Sequence, residues 1–138
     1  MLVEEIHSVV VATVDETGHP HTAVMDMMWE DGKTVYFLTA DFKSLYKRLK
    51  EDGRVAVTGM THGAGTMDRK SISLTGQVEW IGKEHLEELL KANPYMYEIY
   101  PTEEGRSHLQ VFRFKNAVGN FYDLTQLPPY QARFEIEG

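Results

Sequence analysis

Apolar and polar residues alternate along most of this chain, and the alternation breaks repeatedly into short polar turns. Ile6 to Val14 reads as a first strand. The turn DETGHP leads to a second over His21 to Met28, in which Ala23, Met25 and Met27 alternate with Val24, Asp26 and Met28. After the turn EDGK, the run TVYFLT predicts a third strand. These connections are too short for parallel crossovers, which need about a dozen residues or more, so the pattern predicts an antiparallel meander.

The period then changes. Phe42, Leu45, Tyr46 and Leu49 recur at helical spacing, Asp41 stands where a cap belongs, and Lys43, Ser44, Lys47 and Lys50 fill the opposite side. Asp52-Gly53 stops this helix, and RVAVTGM follows as a strand. The Gly-rich connection THGAGTMDR precedes a longer strand, KSISLTGQVEWI, which alternates around Ile72, Leu74, Val78 and Trp80. A second helix is predicted from Lys83 to Ala92 and ended by Asn93-Pro94. The aromatic turn YMYEIYPTEEG leads into the last major strand, HLQVFRFKNAVGNF, and the tail LTQLPPYQARFEIEG is expected across another surface. Strands outnumber the two short helices, and closure would remove exposed edges, so a small, mainly β barrel is expected. Neither an internal repeat nor a linker divides the 138 residues, which fit one domain.

Composition narrows the function. Asp and Glu number 21 against 14 Lys and Arg, a formal net charge of -7. Nonspecific nucleic-acid binding needs an extended cationic patch, so that class is disfavoured, and the local cluster of Lys43, Ser44 and Lys47 reads instead as a site for one small anion. The chain has no cysteine, which removes disulfides, thiol nucleophiles and cysteine-ligated metals. Acidic residues precede the first apolar run, so neither a signal peptide nor a membrane helix is predicted, and a cytoplasmic location is the expectation. His19, His21 and His62 lack the spacing of a metal site, and no metal is expected. Without a GxSxG elbow or a partnered acid–base pair, the catalytic residues stay unknown.

The fragments ATVDETGHPHTAVM, EDGKTVYFLTADFKSLYKRLKEDGRVAV and SLTGQVEW, with the helix containing KANP, carry a resemblance. In this order they resemble the pyridoxamine 5'-phosphate oxidase-like, FMN-binding split-barrel superfamily, particularly its small stand-alone members. The resemblance spans roughly Ile6 to Phe121 and leaves residues 122–138 as a C-terminal extension. It implies a six-stranded antiparallel split β-barrel with two short helices, paired as a homodimer with FMN in the interface clefts. It also implies that Thr39, Lys43, Ser44 and Lys47 meet the FMN phosphate, through charge-assisted bonds and the amides of a helix start. Lys43 and Lys47 are four residues apart, and Ser44 and Lys47 three apart, so convergence on one edge is expected.

Backbone groups of Ala23, Val24 and Met25 would pass beside the flavin ring. Relatives place basic residues on the strand beside the phosphate, whereas here Ser71, Ser73 and Thr75 hold the nearest positions and Arg69 and Lys70 come slightly earlier. Either a shifted register brings Arg69 or Lys70 to the cofactor, or hydroxyls replace part of the charge. His21 and Tyr97 are the candidate substrate contacts. The activity implied is that of an FMN-dependent oxidoreductase on an unknown small molecule, with NAD(P)H one candidate reductant. Two alternatives stay open: a noncatalytic flavin-binding or sensor protein, and a deazaflavin-dependent reductase, which needs a larger cleft.

Overall fold

Strict alternation makes strand β1 (Ser8–Val14) one-sided, with Val9, Val11 and Thr13 buried and Ser8 and Val10 turned outward. The computed structural model describes residues 1–137. After β1 come β2 (Pro20–Asp26), a two-residue β3 (Trp29–Glu30), β4 (Val35–Ala40), α1 (Ser44–Glu51), β5 (Arg54–Met60) and β6 (Lys70–Gly82). Three short helices follow, α2 (Leu86–Ala92), α3 (Met96–Ile99) and α4 (Glu103–Arg106), then β7 (Leu109–Asp123) and β8 (Tyr130–Glu137). The six long strands expected from the alternation are present. Every pairing is antiparallel, in the order β2-β1-β5-β6-β7-β4-β3, with β8 added beside β7.

Two long strands let one sheet serve as a split barrel. β6 bends at register shifts near Gln77 and Trp80, so that β7 pairs β8 through its C-terminal half and β4 through its N-terminal half. The sheet curls until its ends approach, where the Met28 amide donates to the Tyr36 carbonyl at 2.9 Å. Inside lies a core that includes Val9, Val11, Phe37, Leu74, Phe112 and Phe114, plugged by Leu45 and Leu49 of α1. A second core joins Tyr36, Leu38 and Val111 to Leu89 and Leu90 of α2 and Met96 of α3. β4 therefore contacts apolar side chains on both faces, and all six of its residues are buried.

Local chemistry moves three boundaries from their predicted places. Asp41 does not cap α1: the chain first makes a turn in which the Lys43 amide donates to the Ala40 carbonyl, so Lys43 becomes the N-cap and Asp41 pairs with His108 at 2.9 Å. Phe42 is consequently left outside the helix and exposed. Helix α2 begins at Leu86 rather than Lys83, because His85 takes a left-handed backbone (φ 61) that breaks the ladder. The Lys83 ammonium donates instead to the Ser107 and Leu109 carbonyls. The tail forms β8, with Phe134 and Ile136 packed against the inner core.

The turn from β3 to β4 rests on Asp31, whose carboxylate accepts from the Thr34 and Lys33 amides at 2.9 Å each and from the Tyr36 hydroxyl at 2.7 Å. These donors, the Thr34 amide foremost, outweigh partial burial and hold its pKa at about 2 against an ordinary 3.8. The folded chain thus binds fewer protons here than the unfolded one. Its contribution is complete above the unfolded value and lost as pH falls toward the folded one. The urea midpoint of the wild-type protein should exceed that of Asp31→Asn at neutral pH, and the gap should close between about pH 4 and about pH 2. A gap constant over that window would count against this role for Asp31.

Candidate functional site

Strands β2 and β4 run toward the start of α1, and between them lies a cavity of about 370 Å³. Ala23, Val24, Met25 and Asp26 of β2 form one wall, and Leu38, Thr39 and Ala40 of β4 another. Lys43 and Leu45 close it at the helix, and Met96, Ile99 and Tyr100 at α3. The lining is mainly apolar, with Asp26, Thr39 and Lys43 as its polar points, which is the usual make-up of a small-ligand site. A smaller cleft of about 230 Å³ opens farther along β2 and α1, lined by His21, Ser44, Lys47 and Arg48 together with Asp15, Glu16 and Glu51.

The two concavities share elements. From His21 in the cleft to Met25 in the cavity is about 13 Å along an antiparallel strand. Arg48 is steadied at the cleft by donating Nε to the hydroxyl of buried Thr13 at 2.7 Å. No side chain caps α1, and no acidic residue occupies its first turn. Its leading amides are therefore available to an acceptor, beside the Ser44 hydroxyl and two cations. Asp15 opposes an anion there, but the carboxylate is already engaged by Thr17, by the His19 amide and by His21 Nε2 at 2.8 Å. The Thr17 hydroxyl and then His21 hold it well below the usual carboxylate range.

The residues predicted for the site divide into groups. Thr39, Lys43, Ala23, Val24 and Met25 line the cavity, whereas Ser44, Lys47 and His21 line the cleft. Lys43 and Lys47 do not converge, because Lys43 as N-cap has an extended backbone (φ -90, ψ 145) and the helical spacing rule does not reach it. Arg69 lies elsewhere, in an outer concavity of about 470 Å³ with Ser8, Val10, Thr58 and Met60, donating to the Gly63 carbonyl at 3.4 Å. Lys70 opens β6 opposite Asp123 and bonds through its backbone to Thr61. Tyr97 sits beneath the Arg106 guanidinium, 5.0 Å from ring centroid to Cζ, while its neighbours Met96, Ile99 and Tyr100 line the cavity.

One group escaped the sequence reading. The Asp26 carboxylate accepts from the Ser8 hydroxyl at 2.6 Å and the Tyr95 hydroxyl at 2.8 Å. Burial and the Asp26 carboxylate push the Tyr95 phenol far above its ordinary range, so it stays neutral. Tyr95 falls in the aromatic turn, and nothing in the sequence pairs it with Asp26. Among the described residues, no group of three or more His, Asp or Glu is arranged to hold a metal, and no helix is long and apolar enough to cross a membrane.

Residues 1–122 match the family described as pyridoxamine 5'-phosphate oxidase. Among solved structures, the fold is similar to that of a NimC/NimA family protein from Clostridium acetobutylicum, at 21% identity and a TM-score of 0.78 over 97% of this chain and 87% of that one. It is similar to a heme binding protein from Mycobacterium smegmatis, at 13% identity and a TM-score of 0.72 over 96% of this chain. This chain spans only 54% of the length of that protein. A pyridoxamine 5'-phosphate oxidase-related, FMN binding protein from Nostoc punctiforme is similar at 11% identity and a TM-score of 0.62, over 96% of this chain and 87% of that one. At these identities the likeness is one of fold. No curated protein matches the sequence.

Proposed function

This chain belongs to the pyridoxamine 5'-phosphate oxidase family, and on that premise we propose that it is a homodimeric, FMN-dependent oxidoreductase acting on a small molecule. The observation that carries the proposal is the pairing of an apolar cavity with a hydroxyl- and cation-bearing cleft along one strand and one helix start. The cavity suits a flat aromatic ring passing the backbone of Ala23, Val24 and Met25. The cleft suits a phosphate, which would accept from the Ser44 hydroxyl, the Lys47 ammonium and the uncapped amides of α1. When bound, the flavin would supply two-electron hydride chemistry, and the protein would orient it and its substrate. Asp15, Glu16 and Glu51 beside the cleft oppose the longer acidic tail of a deazaflavin.

The outer face of the sheet supports pairing. Strand register sets Val24, Val10, Thr58 and Ser73 side by side, flanked by Met60 and Tyr122. Val24 is 72% exposed and Met60 53%, so an apolar strip interleaved with small hydroxyl residues faces outward. A second copy would cover it, and since Val24 also borders the cavity, the cofactor would lie at the seam. Arg69 stands on this face, in a concavity separate from the cavity of its own chain, and would approach FMN from the partner.

An absorption spectrum after FMN addition and removal of free ligand tests the assignment. Retained bands near about 375 and 450 nm, bleached anaerobically by a reductant, are the expected result. Absence of retained flavin would overturn it, and an intense Soret band on adding haem instead would make haem the cofactor.

A further inference from the structure

Asp26 faces the cavity, but its carboxylate is held from behind, and the hydrogen atoms there can be counted. His7 Nδ1 lies 3.1 Å from the Val3 carbonyl oxygen, which only accepts, so Nδ1 carries a hydrogen. His7 Nε2 lies 2.8 Å from the Tyr95 oxygen, whose single hydroxyl hydrogen is donated to Asp26 Oδ2. Nε2 must then carry a hydrogen as well. An arrangement in which Tyr95 donates to Asp26 therefore calls for a hydrogen on each His7 nitrogen, with Nε2 also 3.4 Å from Asp26 Oδ2. If Nε2 is deprotonated, the Tyr95 hydroxyl can serve His7 or Asp26 but not both.

The backbone secures this arrangement. His7 adopts φ 61 and ψ -66, a γ-turn conformation strained for any residue but glycine. It is held there by its own amide on the Leu2 carbonyl at 2.8 Å and by the Met27 amide on its carbonyl at 2.7 Å. Behind it, His7 and Tyr95 open on a polar cavity of about 640 Å³ whose titratable neighbours are Glu4 and Glu30. Asp26 lines the other cavity, where Lys43 is the cation. His7, Tyr95 and Asp26 thus cross the wall between the two.

We propose that these three side chains relay a proton from the cavity lined by Glu4 and Glu30 into the one lined by β2, β4 and α1. The proposal rests on reading that cavity as the flavin site. An acceptor reduced there by hydride, which bound flavin supplies, also needs one proton. His7 Nε2 passes its proton to the Tyr95 oxygen as the Tyr95 hydroxyl hydrogen passes to Asp26 Oδ2. The Asp26 acid then protonates the reduced acceptor and returns to carboxylate, and His7 recovers a proton from bulk solvent, as hydronium, through the cavity lined by Glu4 and Glu30. Asp26 is the catalytic residue of this relay, and His7 and Tyr95 act through it.

Two measurements test the relay. In the isotopically labelled apo-protein, NMR over a pH series should show the Asp26 carboxyl carbon responding together with the His7 ring nitrogens. Tyr95→Phe, which removes only the hydroxyl, should uncouple them. Independent responses in the wild-type protein would overturn the proposal without reference to flavin. In the FMN-loaded protein, reduced anaerobically with dithionite and mixed with 1,4-benzoquinone, Tyr95→Phe should slow the return of oxidised flavin at least tenfold. It should also abolish the pH dependence and the solvent deuterium effect while retaining FMN. A wild-type rate and pH profile in Tyr95→Phe would sink the relay. Failure to retain FMN would remove the flavin reading and the relay with it, and persistent His7–Asp26 coupling in the apo-protein would identify that as the failure of the cofactor.

Discussion

Gly76→Ala should destabilise this protein strongly. A methyl group at residue 76 would stand 2.0 Å from the Asn116 carbonyl oxygen and 2.6 Å from Ala117 Cα, both fixed backbone atoms of β7. No rotamer change relieves such contacts, so the two strands must separate. Gly76 pairs with Ala117 at the step before the register shift at Gln77, where the ladder already bends. The strands it joins carry β5 on one side and β4 and β8 on the other, and displacement there disturbs most of the sheet. Overpacking of this kind costs about 3 kcal/mol or more, out of a total stability of about 5–15 kcal/mol. The melting temperature should therefore fall by about 10–20 °C. Gly65→Ala is the control, since a methyl there meets nothing within 4 Å, and it should melt with the wild-type protein. A wild-type melting curve for Gly76→Ala would mean that β6 and β7 do not approach this closely.

The features legible in the sequence are those fixed by local periodicity. β1 and β5 were readable because one face is buried and the other exposed, which enforces alternation. β4 was readable for a different reason: both of its faces are covered, and a continuous apolar run between turn signals marks such a strand. β8 was obscured because it follows Pro128-Pro129 and shows alternation only beyond them, its apolar residues Phe134 and Ile136 spaced among charges. At the site, the cluster of Lys43, Ser44 and Lys47 announced itself by composition, but its division between two concavities depends on a single backbone dihedral at Lys43.

The network behind Asp26 lay beyond local reading altogether. Tyr95 is 88 positions from His7 and 69 from Asp26, and only the curling of the sheet and the packing of α2 and α3 bring them together. The strained conformation at His7 carries no sequence signal, since a positive φ is ordinarily marked by glycine. Register likewise separates Arg69 from Lys70: Arg69 precedes β6 and lies in the outer concavity with Ser71, whereas Lys70 opens the strand on the face of Ile72 and Leu74. Residue type marked the cations as candidates for an anion, and the fold decides which of them one chain can bring to one concavity.

That division yields the second large effect, because FMN and riboflavin differ only by the phosphate. Ser44→Ala, Lys47→Ala should weaken FMN binding about 100-fold or more. Each lost hydrogen bond to a charged group is worth about 1.5–3 kcal/mol, and about 1.4 kcal/mol is a factor of ten. Riboflavin, which places nothing charged in the cleft, should bind this variant as it binds the wild-type protein. Lys43→Ala should behave differently, weakening FMN and riboflavin alike, since Lys43 borders the cavity proposed for the ring. Calorimetry of the three apo-proteins with both ligands measures all six affinities. The FMN difference should shrink as salt is raised, because the cleft is open to solvent and its charges are screened. Equal losses for FMN and riboflavin in the double variant would place the phosphate elsewhere, and an unchanged FMN affinity would exclude Ser44 and Lys47 as its ligands. A selective loss would orient the cofactor, with the phosphate at the start of α1 and the ring between β2 and β4. That orientation would also bring the ring to the cavity that Asp26 faces, where a relayed proton would be consumed.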